Sequence, residues 1–349
     1  MKPEPIRIDP IFSPRIWGSR SLAPIYPDKT NLTEPLGEAW LTGVDCKIAS
    51  GPLAGKSLGD AWTAMPLDWR GSRLASHKDF PLLVKFMFPH DKLSIQVHPD
   101  DAYAAAHEQA AGGRGKTEMW HAVSSDPGAS LLLGLKKGTD RQKFLDALQA
   151  NRLEDVFQSH SVTAGDTFFV VPGTPHTIGP GMILCEVQQY SDLTYRIYDY
   201  GRVDDRGRPR ELHVEKALEV MNFDTPAPTK MAPLHLPGER VHKTLLAACR
   251  YFATERWEFL ATVEAQSRAD CFELFVILDG SGDIHWQGQP VPYQRGQCWL
   301  IPAALGSFSF EPEQGTALIR TYVPNLARLS AELRQAAIPE TWLAQTVFA

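Results

Sequence analysis

Short apolar runs, closed again and again by Gly, Pro or Asp, are the feature that most limits how this chain can fold. Examples are FPLLVKFMF at 80–88, KLSIQVH at 92–98, SLLLGL at 130–135 and DTFFVVP at 166–172. MILCEVQQ at 182–189, ELFVILDG at 273–280 and GQCWLIP at 296–302 follow the same pattern. Runs this short, rich in Val, Ile, Phe and Leu, predict strands. The 27 prolines and 26 glycines are spread throughout, so turns interrupt the chain from end to end. Regular alternation of strands with long helices is missing, which argues against a parallel, doubly wound sheet. The expected fold class is mainly β.

Helical periodicity is confined to about 100–111 (DDAYAAAHEQAA), 139–158 (TDRQKFLDALQANRLEDVFQ) and 211–221 (ELHVEKALEVM). A proline-rich connector, TPAPTKMAPLHLP at 225–237, is the best candidate for a domain boundary. A diverged repeat supports two similar domains. Residues 165–176, GDTFFVVPGTPH, give a Gly turn, an apolar strand, then Pro-Gly and a terminal His. Residues 296–307, GQCWLIPAALGS, give the same Gly, strand and Pro, with Ser307 where the His would fall. Glu273 and Gly280 bracket a strand upstream of the second copy, as in small jelly-roll barrels. The expectation is a metal-binding domain over 1–225 and a similar barrel lacking metal ligands over 226–349.

With 349 residues, 43% of them hydrophobic and 22% charged, the chain has the balance of a soluble globular protein. A net charge of -6 argues against a general nucleic-acid binder, which needs a basic face. A small anionic substrate remains open, because it needs only a few local cations. Cys46, Cys185, Cys249, Cys271 and Cys298 are odd in number and show no CxxC pair. They read as reduced thiols of a cytoplasmic protein rather than a disulfide framework. MKPEPIRIDPIF has no signal-peptide pattern, and no apolar run is long enough for a bilayer. A monomer and a small homo-oligomer are equally allowed.

Three segments carry side chains suited to a metal. In LSIQVHP, strand period puts Ser94, Gln96 and His98 on one face, with Ile95 and Val97 on the other. In GKTEMW, Lys116 and Glu118 share a face if the segment is extended. In VVPGTPHTI, His176 follows a turn stiffened by Pro172 and Pro175. Imidazole, carboxylate and amide oxygen together suit zinc or another first-row divalent ion. Each residue alone also has an ordinary reading: a packed histidine, a surface carboxylate, a solvated lysine. The case rests on the four appearing together in barrel-like contexts.

LLVKF, LSIQVHPDD, GKTEMWH, VPGTPHTI and EVQQYSDLTYRIYDYGR, in that order, resemble the type I mannose-6-phosphate isomerases in their compact bacterial form. RIWGS and GEAWL near the N-terminus fit the same family, so the resemblance covers most of residues 10–225. It implies two cupin-type jelly-roll barrels and a metal-dependent interconversion of mannose 6-phosphate and fructose 6-phosphate. Carried over by position, it makes Gln96, His98, Glu118 and His176 ligands of one zinc ion per chain. Arg196 matches the family's active-site arginine, and Glu186 matches an acidic residue assigned to proton transfer. Lys116 and Ser94 match positions at the phosphate end of the pocket. Lys85 matches the lysine of the strand before Gln-x-His. Where many relatives carry His-Lys-Pro-Glu, this chain has Gly115-Lys116-Thr117-Glu118, so a base role for that His does not transfer. The interval from Glu118 to His176 is also short, which implies the loss of a helical domain and a more open pocket.

Such a residue set suits an aldose–ketose isomerase. The difficult species is an enediolate, and a metal with a nearby Arg stabilises its charge more than the ground state. Glu186 and Lys116 both remain candidates for moving the proton. An isomerase of another sugar or sugar phosphate, and a sugar-binding barrel without catalysis, are the competing readings. AAGGRGKT at 110–117 mimics a phosphate loop, but a helical stretch precedes it and an extended one follows, the reverse of that motif's context. Its Gly-Gly-Arg-Gly run reads instead as a mobile loop near the pocket mouth.

Overall fold

The apolar runs are strands, and each of the major ones is buried on both faces. In the computed structural model, which describes residues 1–204, 206–224, 230–238 and 240–348, they build four antiparallel sheets. A six-stranded sheet has the order Ile11–Ser19, Leu36–Trp40, Leu82–Met87, Met182–Gln189, Glu118–Ser125, Thr167–Val170. It faces a five-stranded sheet of Tyr195–Tyr198, Ile95–Val97, His176–Ile178, Ser130–Leu135 and Phe157–Ser161. These two sheets form the first barrel. The second barrel pairs a seven-stranded sheet with a four-stranded one made of Val263–Gln266, Ser307–Pro312, Ser281–Trp286 and Gln289–Gln294.

Strand parity explains why the runs read as continuously apolar. In Leu82–Met87, Leu82, Val84 and Phe86 enter a core shared by both barrels, while Met87 faces the first barrel's interior. In Glu273–Asp279, Leu274 and Val276 enter the same shared core, and Phe275 and Ile277 face the second interior. Sheets covered on both faces need apolar residues at every position. A charged residue inside such a run therefore points into a barrel, and Lys85, Glu186 and Arg320 are such residues.

Two helices, Arg141–Gln149 and Val214–Val220, pack Phe144, Ala217 and Leu218 over Ile95, Val97, Tyr195 and Ile197 on the outside of the five-stranded sheet. The first is half the length that periodicity over 139–158 predicts. Asn151 takes a left-handed φ of 51°, ending the helix, and Leu153–Val156 form a single 3₁₀ turn before Phe157 enters its strand. Leu153 and Phe157 still reach the same core, so the apolar spacing was real and the backbone conformation differs. The helix over 100–111 likewise shortens to Asp101–His107, followed by a 3₁₀ turn at Gln109–Ala111. Helices Leu326–Gln335 and Glu340–Thr346, not anticipated from sequence, seal the shared core with Leu329, Leu333 and Leu343.

The connector 225–237 lies in part outside the described residues, as does the expected boundary at 225. Strand Ile6–Ile8 pairs with Cys298–Ile301 of the second barrel's seven-stranded sheet. We propose the division 1–225 and 226–349 with that strand lent to the other sheet. All five cysteines are buried and free.

Candidate active site

Three short segments bring the donor atoms together at one end of the first barrel. Antiparallel pairing sets His176 directly opposite Gln96. Glu118 opens the strand opposite Gln188 and Val170. His98 Nε2 lies 3.6 Å and His176 Nε2 3.4 Å from Glu118 Oε1. Among the described residues, His98, Glu118 and His176 are the one group of three His, Cys, Asp or Glu whose donor atoms all fall within 4.8 Å of one another.

The tautomers follow from the second nitrogens. His98 Nδ1 is 2.7 Å from Leu193 O and His176 Nδ1 is 2.9 Å from Thr174 O. A carbonyl can only accept, so both Nδ1 atoms carry the proton and both Nε2 lone pairs face Glu118. Burial pushes His176 down to about 3, and burial with the Lys116 ammonium pushes His98 down, which keeps both rings neutral at pH 7. Glu118 is wholly buried, and neither of its oxygens receives a hydrogen bond. Lys116 Nζ is 2.7 Å from Oε2, an ion pair whose angles fall short of a hydrogen bond. Burial alone would raise this carboxyl; the Lys116 ammonium outweighs it and holds it well below the usual range.

This donor set fits a divalent ion. Tetrahedral zinc with bonds of about 2.0–2.1 Å separates its donors by roughly 3.3 Å, and the two His–Glu separations are 3.4 and 3.6 Å. Imidazoles fixed by backbone carbonyls are the usual arrangement around a bound metal. Gln96 turns its amide nitrogen, not its oxygen, toward His176 Nε2 at 3.3 Å, while Oε1 accepts from Ser94 Oγ at 3.3 Å. A half-turn of the amide exchanges the two atoms without changing its shape.

A cavity of about 490 Å³ adjoins the cluster, a size suited to a small ligand. Ser94, Gln96, Lys85, Lys116, Glu186 and Arg196 all line it. His98, Glu118 and His176 do not, but the lining residues Lys116 and Gln96 touch them. Lys85 is buried, with Nζ 2.8 Å from Asp192 Oδ1 and 3.8 Å from Glu186 Oε2. Lys116 Nζ lies 3.9 Å from Glu186 Oε1, which accepts from Trp120 Nε1 at 3.0 Å. Burial pushes Glu186 up to about 7, against the pull of the Lys116 ammonium. Arg196 donates to Glu211 O at 3.0 Å, and its buried Nε has no partner. The nearby carboxylates are engaged elsewhere, Asp199 with Arg202 and Arg210 and Asp192 with Lys85.

Sequence reading missed several groups in this cavity: Asp192, Trp120, Arg15, Glu38 and Arg210. Arg15 donates to Glu38 Oε2 at 2.6 Å, across paired strands carrying RIWGS and GEAWL. Those two motifs were a usable signal. The Gly-Gly-Arg-Gly run does not line the cavity; Gly115 N donates to Asp101 Oδ1 at 2.9 Å, and Lys116 is buried.

The second barrel repeats the registers with other residues. Lys85 faces Glu186 as Glu255 faces Arg320, and Trp120 faces Glu186 as Phe275 faces Arg320. Gln96 faces His176 as Gln266 faces Ser307. Here the centre is closed on itself. Arg320 Nε donates to Glu273 Oε1 at 2.6 Å, and its Nη1 reaches both Glu255 oxygens at 3.0 Å. Trp257 Nε1 and Arg268 N complete the set on Glu255 Oε2 and Glu273 Oε2, at 2.7 and 3.0 Å. A larger open cleft of about 1820 Å³ lies elsewhere on this barrel, but its charged residues are exposed (Asp28, Arg240, Asp279, Arg295, Glu313) or half-buried (Glu258), and among the described residues it holds no such cluster.

The family model described as Phosphomannose isomerase type I, catalytic domain, matches residues 6–125. That of the Mannose-6-phosphate isomerase, cupin domain, matches 242–323. The mannose-6-phosphate isomerase ManA of Bacillus subtilis is 31% identical over 89% of this chain and 97% of its own. The mannose-6-phosphate isomerase of Streptococcus mutans is 32% identical over 88% of this chain and 95% of its own. The crystal structure of the mannose 6-phosphate isomerase from Bacillus subtilis superposes with a TM-score of 0.83 at 26% identity, covering 91% of this chain and 99% of that one.

Proposed function

The chain belongs to the type I phosphomannose isomerases, and from that premise we propose that Gln96, His98, Glu118 and His176 hold one zinc ion beside the cavity where the sugar phosphate reacts. The reaction is the interconversion of mannose 6-phosphate and fructose 6-phosphate. The observation that carries the metal reading is Glu118: a fully buried carboxylate whose Oε2 pairs with the Lys116 ammonium while its Oε1 has no donor and faces two imidazole lone pairs. Buried polar atoms are almost always satisfied, so an unsatisfied convergent set is an incomplete site.

A divalent ion bound there supplies positive charge to the substrate oxygens on which the enediolate charge develops. The protein's own residues do the rest. Arg196, which pairs with no carboxylate among the described residues, offers its guanidinium to negative charge in the cavity. Glu186 is assigned to move the proton between the two reacting carbons. It lines the cavity, is anchored by Trp120, and stays 3.8 and 3.9 Å from the two lysines. Lys116 is a poorer base, because its ammonium is held 2.7 Å from Glu118. Burial would lower Lys116, but Glu118 and Glu186 outweigh it and keep it protonated. Ser94, Lys85 and Lys116 line the cavity with a hydroxyl and two cations, which suits a phosphate. Among the described residues no helix is long and apolar enough to cross a membrane. Five buried free thiols favour the cytoplasm.

The test is direct. Purified protein is incubated with mannose 6-phosphate, with and without a chelator, and fructose 6-phosphate is followed. Turnover abolished by chelation and restored by zinc supports the reading; no turnover in the zinc-restored protein sinks it.

A further inference from the structure

One carboxylate connects the second barrel to the segment that carries Lys116 and Glu118. Asp101 begins the helix after the Gln-x-His strand. Its Oδ1 accepts from Gly115 N at 2.9 Å and from Gln189 Nε2 at 3.0 Å. Its Oδ2 accepts from the Tyr251 hydroxyl at 2.5 Å and from Arg250 Nη2 at 3.2 Å. Tyr251 and Arg250 form the turn between His242–Ala248 and Ala253–Phe259, two strands of the second barrel.

The grip extends along the segment from both sides. Thr117 N donates to Gln189 Oε1 at 2.8 Å, and Gln189 N donates to Thr117 O at 3.1 Å. Lys116 N donates to Pro99 O at 3.0 Å. Gly115 is pressed onto the same stretch: a Cβ there would lie 2.5 Å from the Asp100 carbonyl carbon and 2.6 Å from Asp101 N. Only glycine permits that approach. Asp101 and Gln189 therefore fix the backbone on either side of Lys116. A carboxylate bonded on both oxygens is held far more firmly than one bonded on one.

We propose that Tyr251 is a positioning residue of the isomerase: acting through Asp101, it holds the Gly115–Glu118 segment so that Lys116 and Glu118 face the cavity and the metal cluster. The second barrel thus contributes to the reaction without touching the substrate. This rests on Lys116 and Glu118 serving the reaction as described above.

Tyr251→Phe keeps the ring, which packs against the shared core, and removes only the hydroxyl. The expected result is a kcat about five- to tenfold lower, the scale of one ordinary lost hydrogen bond, with KM changed less than about twofold. Zinc affinity of the stripped protein, measured by competition with a chromophoric chelator, weakens as well. Asp101→Ala produces the same losses, and the double variant is no worse than Asp101→Ala alone, because the two side chains act as one path. A brace that only stabilised the fold would lower the melting temperature and leave kcat alone at assay temperature. Accordingly, a Tyr251→Phe kcat within twofold of the parent overturns the proposal, as does a double variant showing the full product of the single losses. Should Tyr251→Phe be insoluble, Asp101→Ala is read by the same criterion. Because each variant is compared with the parent in the mannose 6-phosphate assay described above, a parent that turns over beside an unaffected variant overturns this proposal and leaves the metal-site reading standing.

Discussion

The two barrels place charged residues at matching registers and do opposite things with them. In the first, Lys85 and Glu186 face one another beside Glu118, whose Oε1 has no hydrogen-bond donor and faces two imidazoles. In the second, Glu255, Arg320 and Glu273 occupy the matching strands, and every carboxylate oxygen has a donor. Buried charge is tolerated only when its partners are complete. The second centre is complete within the chain and is read as structure. The first becomes complete only with something added, and is read as a site. Burial and charge alone do not separate the two; satisfaction of the lone pairs does.

That contrast can be broken most severely at Arg320. Arg320→Met leaves Glu255 and Glu273 buried without their cation and should cost about 3–5 kcal/mol of stability, seen as a large drop in the denaturation midpoint. The folded fraction should still bind metal. A stable Arg320→Met protein would show that the second centre is not held by this pairing.

His98→Ala and His176→Ala probe the other side. Each should lose about 3–4 kcal/mol of transition-state stabilisation, at least a hundredfold in kcat/KM, while thermal unfolding of the metal-free protein changes little. Activity within tenfold of the parent would remove that residue from the ligand set.

A smaller effect is expected from pH. Burial, with Arg256 nearby opposed by Asp166, pushes His121 down to about 3. The folded protein thus keeps this ring neutral while the unfolded chain takes up a proton below about 6.5. Stability is present above 6.5 and falls with pH toward 3, by at most about 1.4 kcal/mol per unit from this group. His121→Asn should flatten the fall of the melting temperature between pH 6.5 and 4.5; an unchanged slope would contradict it. The smallest effect belongs to Arg268→His with Ser307→His. The paired change should confer no metal binding on the second barrel, because Arg320 already engages Glu273.

Much of this was legible in the sequence, for physical reasons. Runs such as FPLLVKFMF and MILCEVQQ had to be strands, since sheets buried on both faces demand unbroken apolar composition. Gln96 and His98 could be set on one face by period two alone. Other features left no local trace. Ile6–Ile8 looks like any short apolar segment, and its pairing with Cys298–Ile301 spans nearly the whole chain. Glu255 and Arg320 belong to no motif, and only their pairing on neighbouring strands brings the two charges together inside the barrel. Asp101 sits in the conspicuous HPDD motif, but Tyr251, which bonds it, is 150 residues away. Lys85 and Glu186 were singled out only by family resemblance, although a lone charge within a doubly buried run was itself a usable sign.

The difference between the barrels is tested most directly by counting metal. Chelator-stripped protein, titrated with zinc and assayed for bound ion after dialysis, should hold one ion per chain in the parent and none in a His98→Ala, His176→Ala double variant. One ion retained by the double variant, or two by the parent, would contradict the account.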